Sequence, residues 1–252
     1  MSEPFLAADG VTVRFGGLTA VDSVSVVADR GETVGIIGPN GAGKTTLFGA
    51  LCGSVPAEGT VRVEGQDAGT WAPHRRARAG LTRTFQQREL FGSLTVRDNL
   101  LFATEAAALG QRPMRLARRH AYRQPDKADA TIELLGLQGC AGMLAGSLPG
   151  GLARLVEIGR ALCTDPALVL LDEPSSGLDN DETAQLVDRL RAAAAACGCG
   201  LLLVEHDMSV VNALCERLYV LDFGSCIASG PTAEVLASAE VREAYLGDLG
   251  AA

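Results

Sequence analysis

The segment "GIIGPNGAGKTTLFGA", which starts at Gly35, constrains the fold of this chain more than any other. It contains the pattern G-x-x-x-x-G-K-[ST], whose fixed positions are Gly38, Gly43, Lys44 and Thr45. A short apolar run ending at residues 34–37 precedes the glycines, and its composition predicts a strand. We expect a helix to start at Lys44. The segment therefore predicts a strand, a glycine-rich loop and a helix in direct succession, which is the context that this pattern requires.

The chemistry of that loop is phosphate binding. Glycines let backbone amides point inward at phosphate oxygens, and the start of the following helix adds a partial positive charge. Lys44 reaches the terminal phosphates, and Thr45 offers its hydroxyl to Mg²⁺. The nucleotide-binding residues predicted in this loop are Gly38, Asn40, Gly41, Gly43, Lys44, Thr45 and Thr46.

Composition and charge limit the class of protein. The 252 residues are 47% hydrophobic and 21% charged, an ordinary globular composition that can form a packed core. The formal net charge of −8 argues against nucleic acid as a partner, because sequence-independent binding to DNA needs a basic surface. The cysteines are scattered apart from Cys197 and Cys199, so we expect reduced structural thiols rather than a metal site or a disulfide.

The sequence also predicts where the protein resides. No stretch approaches the ~20 continuous apolar residues that a membrane span requires. The first ten residues, "MSEPFLAADG", have neither the basic start nor the apolar run of a signal peptide. We therefore expect a cytosolic protein.

Hydrophobic patterning divides the chain into a core and an insertion. Residues 1–37 contain short β-branched runs that predict two or three strands, and "GTVRVEG" at 59–65 predicts another. Residues 94–145 are rich in Ala, Leu and Arg at helical spacing, which predicts an inserted helical lobe. The runs "LVLL" from Leu168 and "LLLV" at 201–204 flank an Ala-rich helix and predict parallel strands buried on both faces. The core is therefore expected to be α/β.

Two carboxylates follow the first of these buried strands. In "ALVLLDEPSSGLD" the apolar run ends at Asp172 and Glu173 follows. Asp172 is suited to the Mg²⁺ shell, and Glu173 can polarise an attacking water. The alternative is a surface Asp-Glu pair without function. Beside a phosphate loop, the pair favours hydrolysis over transfer of phosphate to a bound acceptor.

A histidine follows the second buried strand. His206, in "LLLVEHDM", lies at the strand end where α/β sheets bind ligands. Its imidazole can contact the terminal phosphate or align the water and the carboxylate. The alternative is a structural histidine. His74 and His120 lie in Arg-rich segments, and we predict no role for them.

These motifs resemble a known family. "GPNGAGKTT", "TFQQ", "LPGGLARLVEIGRAL", "LVLLDEPSSGLD" and "LVEHD" occur in the order and spacing of the ATP-binding-cassette (ABC) ATPases, over nearly the whole chain. More narrowly, "VRFGGLTAVD", "ELFGSLTVRDNLL", "VLDFGSCIASGPTAEVL" and "EAYLG" resemble the ATP-binding subunits of branched-chain amino acid importers.

The resemblance implies a P-loop NTPase fold with a RecA-like parallel-sheet core, an N-terminal antiparallel β region and an inserted helical ABC subdomain. Residues 1–252 would form a single ABC ATPase domain, with its core at 1–86 and 161–252 and its helical lobe at 87–160. The cofactors would be ATP and Mg²⁺. The chain would pair head to tail with an identical or sister ATPase subunit. It would drive uptake of branched-chain amino acids or a related small polar solute through separate membrane permeases, from the cytoplasmic face of the membrane.

The resemblance also implies roles for residues outside the phosphate loop. Phe15 corresponds to the aromatic that stacks on adenine, the alternative being a strand-end Phe packed in the core. Gln86 corresponds to the catalytic glutamine that senses Mg²⁺ and water, with Gln87 as its rival in register. Asp179, in "SSGLD", belongs to the loop that contacts the other subunit of the dimer.

The segment "GSLPGGL", residues 146–152, corresponds to the family signature, usually Leu-Ser-Gly-Gly-Gln, which completes the ATP site of the opposite subunit. Leu148, Gly150 and Gly151 match it. Pro149 stands where Ser is usual, and this removes a hydroxyl and an amide donor from a site that binds phosphate by donating hydrogen bonds. Leu152 replaces the usual Gln. The glycine amides remain, so the site is either weakened or intact. The Ser147 hydroxyl is a candidate substitute for the missing hydroxyl.

Two other functions remain open. A regulatory or non-transport ABC ATPase is favoured by the altered signature, whereas a P-loop small-molecule kinase would need an acceptor pocket and an Arg-bearing lid. The segment 86–99, which exposes "ELF", is predicted to dock the membrane subunits. The arginines of "RPMRLARRHAYRQ", residues 112–124, form either a solvated face or a contact for anionic lipid or an acidic partner.

Overall fold

Two β-sheets form the framework of the protein. The structure is a computed structural model that describes residues 3–84, 90–111, 125–239, 241 and 243. An antiparallel sheet has the strand order β2-β1-β4-β5, and a six-stranded sheet has the order β10-β9-β3-β8-β7-β6. The strands are β1 Leu6–Phe15, β2 Leu18–Ala28, β3 Thr33–Ile37, β4 Glu58–Val63, β5 Gln66–Asp67, β6 Leu81–Arg83, β7 Leu168–Asp172, β8 Gly200–Val204, β9 Arg217–Asp222 and β10 Ser225–Pro231.

Eight α-helices are present in the described residues. The core helices are α1 Lys44–Cys52, α2 Pro73–Arg78, α6 Asn180–Cys197, α7 Met208–Leu214 and α8 Thr232–Ala237. Between β6 and β7 lie α3 Val96–Gln111, α4 Pro125–Leu134, 3₁₀ turns at Gln138–Cys140 and Ala145–Ser147, and α5 Gly150–Leu162. The helical insertion is therefore confirmed. Its exact boundaries stay a prediction, and α5 runs two residues past the predicted limit at 160.

The central strands are buried on both faces, as their continuous apolar runs predict. Every residue of β7 and β8 is buried, and these strands pair in parallel with each other. Leu170 and Leu202 belong to the apolar cluster that contains α1 and the antiparallel sheet, whereas Leu171 and Leu203 belong to the cluster with α5 and α6. Alternate side chains of each strand thus enter opposite layers of the core. The predicted α/β fold with an N-terminal antiparallel region is confirmed.

The helices of the insertion pack closely around Gly159 of α5. A Cβ on Gly159, in α5, would lie 2.9 Å from a methyl of Leu100 in α3 and 3.0 Å from one of Leu135 just after α4. Glycine at this position lets the three segments approach closely. In the part of the chain that the structure describes, no helix is both long and apolar enough to cross a membrane.

The parallel topology gathers the functional loops at one edge of the large sheet. Strands β9, β3, β8, β7 and β6 all run in the same direction, so their carboxyl ends meet. The loop after β3 leads into α1, and the loops after β7 and β8 begin at Glu173 and Glu205. Parallel α/β sheets bind ligands at this edge.

Candidate nucleotide site

The glycine-rich loop between β3 and α1 has a backbone that only glycine adopts without strain. Gly38 and Gly43 have φ values of 150° and 95°. A Cβ on Gly38 would lie 2.1 Å from the Leu221 carbonyl oxygen, and one on Gly43 would lie 2.3 Å from that of Ala20. Both glycines therefore let the loop pack directly on backbone from β9 and β2.

The loop and the first turn of α1 form a cationic cradle. The helix starts at Lys44, as predicted, and no acidic residue in its first turn offsets the positive end of the helix dipole. Lys44 is 7% exposed, and its ammonium donates to the carbonyl oxygens of Gly38 at 2.7 Å and Pro39 at 2.9 Å. Thr45 and Asn40 are exposed at the mouth of the cradle, and Thr46 is half-buried. These groups can all donate hydrogen bonds to phosphate oxygens.

Asp172 is a fully buried carboxylate at the end of β7. Its Oδ2 atom accepts a hydrogen bond from Nη2 of Arg83, the last residue of β6, at 2.8 Å. Among the described residues, nothing donates a hydrogen bond to its Oδ1 atom. A buried carboxylate oxygen left without a donor is an expected ligand for a divalent cation or for a water in its shell. Asp172 therefore fits the Mg²⁺ role predicted for it.

Glu173 and His206 approach each other from adjacent strands. Glu173 has a positive φ of 48°, unusual for a residue with a side chain, and its amide donates to the Val204 carbonyl at 2.9 Å. Its Oε1 atom lies 3.9 Å from Nδ1 of His206. The Glu173 side chain is 24% exposed and the imidazole 58% exposed, so both remain accessible at the sheet edge. The geometry suits one group that polarises a water and one that orients it.

Phe15 lies at the end of β1 and is 53% exposed, so the core alternative for this residue is wrong. It pairs across the strand with Leu18, which is also exposed. The β1–β2 hairpin lies beside the cradle, because Ala20 and Val21 of β2 contact the Cβ position of Gly43. An exposed aromatic face next to a phosphate loop suits base stacking.

The segment predicted as the signature forms the N-terminus of α5. Pro149 is the N-cap, its carbonyl accepts from the Ala153 amide at 3.0 Å, and α5 starts at Gly150 with no acidic residue in its first turn. Leu148 is buried, and Gly150 and Gly151 are half-buried. The Ser147 hydroxyl donates to the Leu144 carbonyl at 2.7 Å, so that hydrogen bond would have to break before Ser147 replaced the missing hydroxyl.

Asp179 has a structural task in addition to its predicted one. It is the N-cap of α6, where its Oδ1 atom accepts from the Glu182 amide at 2.8 Å in a capping box. This cap fixes one end of the loop that starts at Glu173.

Three predicted features lie outside the described residues: Gln86, Gln87 and the Arg-rich segment 112–124. Two residues at the site had no predicted role. Arg83 pairs with Asp172, and its only sequence signal is its place in "TRTFQ", three residues before the predicted glutamine. Glu205 precedes His206 in "LVEHD". It is fully buried between the loop that follows β7 and the loop that follows β8.

A strand-loop-helix phosphate cradle, a buried carboxylate and a neighbouring Glu-His pair at the carboxyl edge of a parallel sheet define a P-loop nucleotide hydrolase. Comparison with known proteins identifies the family. The model of the "ABC transporter" family matches residues 21–176, and that of the "Branched-chain amino acid ATP-binding cassette transporter" family matches residues 225–250. The chain belongs to the ABC transporter family and is its ATP-binding cassette, an ATPase coupled to transport.

Curated relatives match this chain over almost its whole length. The high-affinity branched-chain amino acid transport ATP-binding protein LivG of Salmonella typhimurium is 37% identical, covering 98% of this chain and all of the relative. The corresponding BraF protein of Pseudomonas aeruginosa is 35% identical with the same coverage.

Solved structures of cassettes have the same fold. A nucleotide-free ATP-binding cassette of an ABC transporter gives a TM-score of 0.83 at 31% identity, covering 96% of this chain and 99% of that one. A cassette in its ADP conformation also gives 0.83, at 30% identity, covering 98% and 100%.

Proposed function

We propose that this chain is the ATP-hydrolysing subunit of an importer that takes up branched-chain amino acids or a related small polar solute. The observation that carries the proposal is the full-length similarity to LivG and BraF, whose names give that transport role. The separate family match at 225–250 points to the same solutes. In this proposal the chain lies on the cytoplasmic face of the membrane and works through permease subunits.

ATP is proposed to bind with its adenine on Phe15 and its phosphates in the cradle. The Gly41 and Gly43 amides and the Lys44 ammonium would hold the phosphates. Thr45 and Asp172, with the predicted Gln86, would hold Mg²⁺, which neutralises phosphate charge when bound. The buried, donor-free Oδ1 atom of Asp172 supports this assignment. Removing that carboxylate should therefore weaken Mg²⁺ binding and raise the Mg²⁺ concentration that hydrolysis requires.

Hydrolysis is proposed to depend on Glu173 and His206. Glu173 accepts the proton of the attacking water, and His206 orients the water against the terminal phosphate. The 3.9 Å separation of their side chains supports a shared task at one reacting atom. Neither role requires an acceptor molecule other than water, in keeping with the ATPase class.

The partner ATPase subunit is proposed to close the site. A cassette in a dimeric post-hydrolysis state with ADP and Pi has the same fold, with a TM-score of 0.75 at 22% identity, covering 90% of this chain and 98% of that one. In a head-to-tail pair, the Gly150 and Gly151 amides at the start of α5 would face the ATP of the opposite subunit, with Leu148 and Asp179 beside them. The free positive end of α5 supports this role.

The permeases are proposed to dock on the helical insertion near Phe91. Phe91 is 40% exposed. The centre of its ring lies 4.9 Å from that of the Phe102 ring and 4.8 Å from the Arg160 guanidinium. Asn99 anchors this segment, because it accepts from the Phe91 amide and donates to the Phe91 carbonyl. A cleft of 260 Å³ is lined by Phe102 and Arg160, which contact Phe91, and also by Arg83. The cleft therefore extends from the proposed docking surface to the Arg83–Asp172 ion pair.

Affinity purification from native membranes, combined with uptake of radiolabelled leucine, isoleucine and valine, tests the proposal. We expect integral membrane subunits to co-purify, and uptake to fall on deletion of the gene and return with the wild-type chain but not with Lys44→Ala. A chain that co-purifies with no membrane protein and whose loss leaves uptake unchanged contradicts the proposal. That result would favour the second candidate, a regulatory ABC ATPase, which Pro149 in the signature supports.

A further inference from the structure

A buried carboxylate joins the two loops that carry Glu173 and His206. Glu205 directly follows β8 and has none of its surface exposed. Burial of a carboxylate is unfavourable unless hydrogen bonds replace its water, so the donors around Glu205 show what holds it there. They come from both loops.

The Oε1 atom of Glu205 binds the loop after β7. It accepts from the Ser175 amide at 2.9 Å and from the Ser175 hydroxyl at 2.6 Å. Ser175 is buried and lies two residues after Glu173. The same loop is tightened by hydrogen bonds from the Ser176 amide to the Glu173 carbonyl and from the Leu178 amide to the Ser175 carbonyl. Glu205 therefore holds the centre of the segment that runs from Glu173 to Asp179.

The Oε2 atom of Glu205 binds its own loop. It accepts from the His206 amide at 3.0 Å and from the Asp207 amide at 3.4 Å. The same oxygen lies 4.0 Å from Nδ1 of His206. One carboxylate thus divides its two oxygens between the loop of the proton acceptor and the loop of the histidine.

We propose that Glu205 is a positioning residue for ATP hydrolysis, whose carboxylate fixes the loop of Glu173 relative to the loop of His206. Both side chains lie beyond the ends of their strands, where one backbone hydrogen bond, from the Glu173 amide to the Val204 carbonyl, is the last that pairs β7 with β8 in the described residues. A shared, buried partner supplies the rigidity that catalytic groups need. The inference rests on the ATPase activity of the family and is independent of the solute.

Glu205→Gln is the direct test, because it keeps the size of the side chain and replaces one oxygen by an NH₂ group. Whichever way the amide is oriented, an N–H then faces a backbone N–H at one of the two loops, so one connection is lost. We expect kcat for ATP hydrolysis to fall about 10- to 100-fold, the range produced by misplacement of catalytic groups. We expect KM for MgATP to stay within about twofold, because the cradle is unchanged.

Asp207→Asn is the matched control in the same loop. The Asp207 carboxylate caps α7 by accepting from the Ser209 amide and hydroxyl, and within the described residues it joins no second loop. If loss of a structural carboxylate beside His206 were enough to reduce catalysis, both variants would do so. Asn is as good an N-cap as Asp, because its Oδ1 atom also accepts from the Ser209 donors, so we expect Asp207→Asn to leave the melting temperature near that of the wild type and kcat within about threefold of it.

Ser175→Ala tests the other end of the connection. It removes the hydroxyl donor and keeps the amide donor, so we expect kcat to fall by about 3- to 10-fold with KM unchanged. Because Glu205→Ala removes the acceptor of Ser175 altogether, the double variant of Ser175→Ala with Glu205→Ala should be no slower than Glu205→Ala alone. These rates are measured on the full-length chain in the complex with which it purifies.

Three results would overturn the inference: a kcat for Glu205→Gln within about twofold of the wild type, an effect confined to KM, or fully additive losses in the double variant. Melting curves of each variant show whether it folds. If Glu205→Gln does not fold, Ser175→Ala decides alone, and an unchanged kcat for that variant contradicts the proposal.

Discussion

Removal of the aromatic ring of Phe15 should weaken ATP binding without weakening the fold. Stacking of a base on an aromatic side chain contributes about 1–3 kcal/mol, which corresponds to a roughly 5- to 150-fold rise in Kd when the ring is lost. A Phe packed in the core would instead cost about 3–5 kcal/mol of stability on truncation. At 53% exposure, Phe15 loses little packing, so the melting temperature of Phe15→Ala should stay close to that of the wild type.

The assay is a direct binding titration of MgATP with Phe15→Ala, Phe15→Tyr and Leu18→Ala. Phe15→Tyr keeps an aromatic face and should bind as the wild type does. Leu18→Ala is the matched control, because Leu18 pairs with Phe15 across the hairpin and is 66% exposed but has no ring. Equal loss of affinity in all three variants, or a large drop in melting temperature for Phe15→Ala without a selective effect on ATP, would refute the stacking role.

Three further experiments have expected outcomes. Lys44→Ala should weaken MgATP binding by at least about tenfold, because a charge-assisted contact to phosphate is lost; unchanged affinity in the same titration would refute the cradle. Phe91→Asp should reduce solute uptake far more than ATP hydrolysis, and preserved coupling in transport vesicles would exclude this docking surface. A hydrogen bond from Cys199 lowers the pKa of the Cys197 thiol to about 7, so its thiolate fraction rises as the pH passes 7. Its alkylation by iodoacetamide, followed by peptide mass spectrometry, should therefore level off near pH 8. Burial raises the pKa values of Cys52 and Cys215 to about 11 and about 12, and these thiols should react later than Cys197. Uniform labelling would contradict this order.

Local patterns in the sequence were sufficient to predict the central architecture. The runs that became β7 and β8 are apolar at every position because both of their faces are buried, and such runs distinguish parallel core strands from amphipathic ones. The start of α1 at Lys44 was equally predictable, since Gly43 ends the loop in a conformation that favours glycine. In both cases the signal lies within a few residues of the feature.

Short or peripheral strands gave no usable signal. β5 has two residues and β6 has three, and both exist because a neighbouring strand offers hydrogen-bond partners rather than because of their own composition. β9 and β10 were also not predicted. Among the strands that the structure describes, β10 pairs only with β9, and most of its residues are half-buried, so its sequence lacks the apolar run of a central strand.

Pairing at the site was the least predictable feature. Asp172, Glu173 and His206 were identified from their places after strands, but Arg83 lies 89 positions before the Asp172 that it contacts, and Ser175 lies 30 positions before Glu205. Such contacts arise from strand order, which brings β6, β7 and β8 side by side. A single sequence does not encode that order as a local pattern.

The measurement that tests the central claim most directly is ATP hydrolysis by the purified complex carrying Glu173→Gln or Pro149→Ser. In the proposed head-to-tail pair, Glu173 would serve the ATP on the P-loop of its own chain, whereas the α5 N-terminus at Pro149 would serve the ATP of the opposite subunit. Loss of one preorganised donor costs about 10²–10³ in rate, and Pro149 already lacks two donors of the usual signature. We hypothesise a mixed dimer in which a sister subunit with an intact signature activates the Glu173 site. Glu173→Gln should then abolish most hydrolysis, and Pro149→Ser should preserve it or raise it modestly. A Pro149→Ser variant as inactive as Glu173→Gln, or an isolated chain that hydrolyses ATP as fast as the complex, would contradict the account.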